Sequence, residues 1–251
     1  MALKRIMPCL LYDGKGLVKT VKFKNPNYIG DPINAIKIFN EKEVDELILI
    51  DINASKEKRK IDIAKIADFA GECFMPFAYG GGVKSIDDFY QLYKTGVEKV
   101  VVNSLIFENP EVIKEAVVKY GSQAVVACMD YKKSLLGKKT LYSYSGKSIK
   151  LSPKEYIKYV EQDLGVGELF LYNVDLEGTW EGFDYDFIKE LVNSTTLPVI
   201  ASGGAGTVGH IKKVLYESNA NAAAIGSMSV YSKKGMGVLI NFPPRSEVIK
   251  E

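Results

Sequence analysis

Pro198-Val-Ile-Ala-Ser-Gly203-Gly204 reads as a short apolar strand running into a glycine pair, and Pro76-Phe-Ala-Tyr-Gly-Gly81-Gly82 is the same phrase 122 positions earlier. The shift that carries Pro76 to Pro198 also carries Leu47-Ile-Leu-Ile-Asp51-Ile-Asn53 onto Leu169-Phe-Leu-Tyr-Asn173-Val-Asp175. Near the start of each half, Cys9-Leu10-Leu11 lines up with Cys128-Met129-Asp130 at a shift of 119. Self-similarity at a fixed long period means repeated structural units.

Outward from these phrases, short apolar runs alternate with amphipathic stretches. The runs are Arg5–Leu11, Glu46–Ile50, Met75–Tyr79, Lys99–Val102, Ala124–Met129, Glu168–Tyr172, Pro198–Ala201 and Ala222–Ile225. They lack the polar alternation of half-exposed strands, so they read as parallel strands buried on both faces. Asp31-Pro32, Asn109-Pro110 and Ser152-Pro153 each pair an N-cap residue with proline at the first helical position. Ser85 with Asp88 resembles a capping box. Each half is then four βα units, and the whole predicts a single (β/α)₈ TIM barrel over residues 1–251 with a two-fold half-barrel repeat. An open doubly wound sheet is the architectural alternative. Two connections exceed what a barrel needs, Tyr12–Gly30 and Tyr131–Leu151. In the second, Thr140–Tyr144 and Lys147–Lys150 around Ser145-Gly146 read as a small hairpin. Both follow strands at the face where barrels keep their active sites.

Composition narrows the function. The chain of 251 residues is 47% hydrophobic and 25% charged with a net charge of +2. That balance is globular and gives no electrostatic case for nucleic acid or a membrane surface. Cys9, Cys73 and Cys128 cannot all pair and have no metal spacing, and His210, in a polar stretch early in a helix, is the single histidine. Zinc sites and histidine-activated nucleophiles are thereby disfavoured, and no metal or cofactor is expected. Unpaired cysteines without a leader-like segment suit a reducing cytoplasm.

The repeat duplicates a ligand site. Gly81-Gly82 follows strand three and Asn103-Ser104 ends strand four; Gly203-Gly204 follows strand seven and Gly226-Ser227 ends strand eight. A glycine pair lets backbone N–H groups approach an anion, and the next strand end offers a hydroxyl and a helix N-terminus. Glycine pairs also serve as plain tight turns. Two in register point instead to a substrate with two phosphate-like ends. Asp51, Asp130, and Asp175 with Glu177 end strands two, five and six. With so little histidine, carboxylates are the natural proton carriers. Some carboxylates at such ends only cap backbone, which is the open alternative for Asp51 and Asp175. Asp130 directly follows an apolar strand, where partial burial raises a carboxyl pKa.

The segments Lys4-Arg-Ile-Met-Pro-Cys-Leu10, Asp45-Glu-Leu-Ile-Leu-Ile-Asp-Ile-Asn-Ala-Ser55, Gly80-Gly-Gly82, Gly121-Ser-Gln-Ala-Val-Val-Ala-Cys-Met-Asp130, Asp175-Leu-Glu-Gly-Thr179 and Ser202-Gly-Gly-Ala-Gly206 resemble the signature segments of the HisF family, the cyclase subunits of imidazole glycerol phosphate synthase. The resemblance runs from residue 1 to about residue 230. It implies a lyase-type cyclase of histidine biosynthesis. Such an enzyme uses ammonia to convert a ribulosyl aminoimidazole carboxamide nucleotide to imidazole glycerol phosphate and aminoimidazole carboxamide ribotide. It also implies a heterodimer with a glutaminase (HisH-type) subunit docked at the opposite end of the barrel, and no cofactor. Carried onto this sequence, Asp130 matches one of the family's two catalytic aspartates, and Lys19 matches the lysine of the loop after strand one. Gly82, Asn103 and Ser104 match one phosphate site; Gly178, Gly204, Gly226 and Ser227 match the other. Glu177 stands where the family has aspartate, and it joins Asp130 and Lys19 as a catalytic candidate. Arg5, Glu46, Lys99 and Glu168 match the family's ring of charges at the ammonia entrance. Such a ring also serves simply to solvate a barrel end.

One position departs from the family pattern. Leu11 stands where the second catalytic aspartate lies, and the internal repeat marks the same position, since Asp130 answers to Leu11. Leucine moves no proton. Leu11-Tyr-Asp13-Gly and Val238-Leu-Ile-Asn-Phe-Pro-Pro resemble a HisF-like branch linked to acetamidino modification of surface sugars, in which ammonia passes onward. A related isomerase barrel shares the repeat and both phosphate sites, but it lacks the charge ring and the Asp175–Thr179 segment.

Overall fold

The computed structural model describes residues 3–134, 136–143 and 149–249. Its strands are β1 (Arg5–Tyr12), β2 (Leu17–Val21), β3 (Lys24–Gly30), β4 (Leu47–Asp51), β5 (Phe77–Gly80), β6 (Lys99–Val102), β7 (Val125–Lys133), β8 (Lys139–Leu141), β9 (Glu168–Asn173), β10 (Val199–Ser202) and β11 (Ala222–Ile225). Eight of them, β1, β4, β5, β6, β7, β9, β10 and β11, pair in parallel in that order. The sheet closes because β11 pairs back onto β1, Arg5 opposite Ala222 through Pro8 opposite Ile225. The eight apolar runs are these eight strands, to within a few residues at their ends. Closure removes the open-sheet alternative.

Alternation along each strand builds two cores. On β1, Ile6, Leu10 and Tyr12 face the surrounding helices, whereas Met7 and Cys9 face the barrel axis. The axial core is completed by residues such as Ile48, Ala78, Val101, Val126, Phe170, Tyr172, Ala222 and Ala224. An eight-stranded barrel is narrow enough for side chains to fill it. Chemistry is thereby confined to the two ends.

Helix starts follow the local chemistry. Asp31 accepts from Asn34 N–H, and Ser152 with Glu155 and Ser85 with Asp88 both form reciprocal capping boxes. Asn109 precedes its helix but makes no side-chain cap bond. His210 lies in the first turn of the helix Val208–Tyr216.

The long connections differ in outcome. Tyr12–Gly30 contains the antiparallel pair β2–β3, joined at Lys22-Phe23, both at positive φ (55° and 60°), as a tight hairpin turn requires. In the second connection the hairpin partner is the barrel strand itself. Tyr131–Lys133 of β7 pairs with Lys139–Leu141 of β8, and the turn between them uses Gly137 at φ 82°. Glycine's access to positive φ places the reversal there. The expected pairing of Thr140–Tyr144 with Lys147–Lys150 is thus displaced in its first arm, while residues 144–148 lie outside the described residues.

Candidate active site

At the mouth, Gly82, Asn103, Ser104 and Asp130 line one cavity together with Phe23, Asp51, Ser55, Cys128 and Tyr172. A second cavity is lined by Glu177, Gly178, Gly203, Gly204, Gly226 and Ser227, and it shares Tyr172 with the first. The two glycine cradles therefore both border Tyr172. Their backbones are made alike. A Cβ on Gly81 would sit 2.2 Å from the carbonyl oxygen of Asp51, and one on Gly203 would sit 2.5 Å from that of Asn173. Only a residue without Cβ fits at either turn.

Asp130 is inside β7 rather than at its end, and its carboxyl is only partly open to solvent. Burial pushes its pKa up to about 7, against the opposite pull of hydrogen bonds from Cys128 and Asn103. The Cys128 thiol donates to Asp130 Oδ1 at 3.4 Å. A carboxyl that titrates near neutrality both gives and takes a proton there. Lys19, on β2, is buried with its Nζ 2.8 Å from the carbonyl oxygen of Cys9. Its Nζ also lies 2.8 Å from where a Gly226 Cβ would be, which places a cation beside the second cradle. Burial lowers the Lys19 pKa, offset in part by the charge of Glu177.

The other mouth carboxylates are occupied. Asp51 caps Asn53 and Ala54 N–H and receives a bidentate pair from Arg59 at 3.0 and 2.9 Å. Asp175 accepts from Lys133 N–H at 2.6 Å. Glu177, a catalytic candidate from the sequence, lines the second cavity, but its carboxylate accepts from Thr20 Oγ1 at 2.9 Å and Phe23 N–H at 3.1 Å. It fastens the β2–β3 hairpin across the mouth, with the Phe23 ring edge-on to Tyr172 at 4.9 Å. Burial raises the Glu177 pKa, opposed by the Phe23 amide and Lys19. Leu11 is buried at the inner end of this hairpin, opposite Val18 and Ile50.

At the other end of the barrel, Arg5, Glu46, Lys99 and Glu168 form a closed alternating ring. Arg5 bonds Glu46 at 2.6 Å and also Glu168; Lys99 bonds Glu46 and Glu168, each at 2.9 Å. Both glutamates are buried, and both cations are mostly so. These pairs are therefore not the exposed, nearly neutral contacts that a surface ring would be.

A match to the histidine biosynthesis protein family spans residues 5–235. A Pseudomonas aeruginosa protein, provisionally named imidazole glycerol phosphate synthase subunit hisF2, is 43% identical over 97% of both chains. The imidazole glycerol phosphate synthase subunit HisF of Streptococcus mutans is 36% identical over 93% of both. That of Methanococcus vannielii is 37% identical over 92% of both. This chain belongs to the HisF family. Among its described residues no helix is long and apolar enough to cross a membrane, and no group of three or more acidic, cysteine or histidine side chains is placed to hold a metal.

Within this HisF-family barrel, sequence reading missed Arg59, Phe23, Cys128 and Ser55 as mouth residues. Ser55 had a signal, since the 122-residue shift carries it onto Glu177. Phe23 and Arg59 had none, because nothing local tells where a hairpin tip or a long cation will land.

Proposed function

We propose that the chain is the synthase (cyclase) subunit of a glutamine amidotransferase complex. Ammonia made by a separate HisH-type glutaminase subunit enters at the Arg5–Glu46–Lys99–Glu168 ring and is used at the opposite mouth. The substrate is a small molecule with a phosphate at each end, held by Gly82, Asn103 and Ser104 on one side and Gly178, Gly204, Gly226 and Ser227 on the other. Asp130 is the proton carrier and Lys19 the cation that meets developing negative charge. The reaction is the family's conversion of the ribulosyl aminoimidazole carboxamide nucleotide to imidazole glycerol phosphate and aminoimidazole carboxamide ribotide. The observation that carries this reading is the pair of equivalent glycine cradles bordering Tyr172, with a near-neutral carboxyl in the first. Three unpaired cysteines suit a cytoplasmic setting. Turnover of the family substrate with ammonium salts, with and without the glutaminase, tests it. Absence of product under both conditions sinks the cyclase assignment.

Leu11 favours a second reading. A buried leucine where the family pattern has an aspartate leaves one proton carrier of two. In this reading the chain is a paralogue that passes ammonia onward for acetamidino modification of a surface sugar and cyclises little by itself. Strong wild-type cyclase turnover excludes it.

A further inference from the structure

Ser55 and Glu177 occupy one position of the 122-residue repeat, yet their side chains do different things. Glu177 turns to the β2–β3 hairpin and bonds Thr20 and Phe23. Ser55 turns to the first cradle, where its Oγ accepts the Gly82 N–H at 3.1 Å. The equivalent amide, Gly204 N–H, has no side-chain acceptor among the described residues. Ser55 is half-buried in the wall it shares with Gly81, Gly82, Asn103 and Ser104. It is also rigidly placed. The turn that carries it is capped by Asp51 at Ala54 N–H, 2.9 Å, and Arg59 holds Asp51 from the far side. Ala54 in turn sets the place of Gly82, whose Cβ would be 2.9 Å from the Ala54 Cβ.

The Gly82 amide is one of the donors that a phosphate in this cradle needs, and the Ser55 oxygen now occupies it. A hydroxyl differs from a carboxylate because it donates as well as accepts. When a phosphate oxygen takes the Gly82 N–H, the Ser55 hydroxyl rotates about its single χ angle and donates to the same phosphate. Asp51 does not oppose this, since its negative charge is matched by the bidentate Arg59. We infer that Ser55 is a phosphate ligand of the first cradle, its hydroxyl keeping the Gly82 amide satisfied until the anion arrives. The two cradles are then unequal, because the matching position of the second serves the hairpin. This inference rests on the reading of the glycine turns as phosphate sites.

Titration of the intact chain with inorganic phosphate, followed by the ¹⁵N shifts of the Gly82 and Gly204 amides, tests both ideas separately. Wild type is expected to show saturable shifts at both glycines. Ser55→Ala is expected to weaken the response at Gly82 by about tenfold or more, the effect of one hydrogen bond to a charged group, and to leave Gly204 unmoved. Ser55→Thr, which keeps the hydroxyl, is expected to restore it. Ser227→Ala is expected to weaken Gly204 alone. Phosphate affinity at Gly82 that is equal in wild type and Ser55→Ala overturns the role of Ser55 and leaves the cradles standing. Failure of wild type to bind phosphate at either glycine overturns the cradle reading, and the role of Ser55 with it.

Discussion

Asp51 and Asn173, 122 residues apart, do the same work in the two halves of the barrel: Asp51 Oδ1 accepts Asn53 and Ala54 N–H, and Asn173 Oδ1 accepts Asp175 and Leu176 N–H. They differ in what the rest of the side chain meets. Asp51 meets Arg59, whereas the Asn173 amide donates to Asp184 at 3.3 Å. Asp51→Asn keeps both caps and loses the ion pair, so it should cost about 1–2 kcal/mol. Asn173→Asp sets two carboxylates face to face and should cost more. Urea denaturation at pH 7 measures both; equal effects would contradict the division of roles.

Asp130→Asn should lower cyclase turnover by roughly 10²–10⁴ while making the protein more stable in alkaline solution. The folded pKa, about 7, lies above the unfolded value, so the folded state holds its proton more tightly. Wild-type stability therefore falls as pH rises from about 4 to about 7 and stays reduced above. A shift of this size corresponds to at most about 4 kcal/mol, and the partial opening of the carboxyl to solvent brings the expected gain nearer 2. Unfolding of both proteins at pH 4 and pH 8 checks the sign: the variant's advantage should appear only at pH 8.

Leu11→Asp should raise cyclase turnover by two orders of magnitude or more if its position governs proton transfer. It should also destabilise by roughly 2–4 kcal/mol, since a carboxylate replaces a buried leucine. Turnover and melting temperature on one preparation separate these effects. A destabilised variant with unchanged turnover would show that position 11 does not limit the chemistry.

Glu177→Gln keeps an acceptor for Thr20 but presents an amide to the Phe23 N–H, which cannot accept. The β2–β3 hairpin should open more often, by about tenfold for one hydrogen bond to a charged group. Lys22 and Lys24 are exposed at its tip, so limited trypsin cleavage there should accelerate by a similar factor. An unchanged cleavage rate would mean that the Phe23 ring contact with Tyr172, the Lys22 N–H bond to the backbone carbonyl of Glu177 and the Thr20 bond hold the tip without the Phe23 amide bond.

Lys99→Ala should leave the far-ultraviolet spectrum unchanged and lower stability by about 1–3 kcal/mol, because Arg5 still pairs both buried glutamates. In a complex with the glutaminase it should reduce glutamine-dependent product more than ammonia-dependent product. An equal fall in the two would remove the ring from the ammonia route.

What the sequence determined by itself was whatever chain-local chemistry encodes. Eight uniformly apolar runs required eight buried parallel strands. Ser85, Asp31 and Ser152 marked helix starts, and the glycine pairs at 81–82 and 203–204 marked turns where a Cβ has no room. The half-barrel repeat was legible because equivalent turns need equivalent residues. The partner of each polar side chain was decided only by the tertiary structure. Glu177 fastens a hairpin whose Thr20 lies 157 positions away; Arg5 closes a ring with Glu168 across 163; Arg59 silences Asp51. Such pairings depend on which segments the closed barrel brings within about 3 Å and on how much water it leaves there, and neither is written in the spacing of residues along the chain. Two carboxylates that read alike in sequence, Glu177 and Asp130, were divided in this way, one bound to a loop and the other lining the first cavity with a pKa near neutrality.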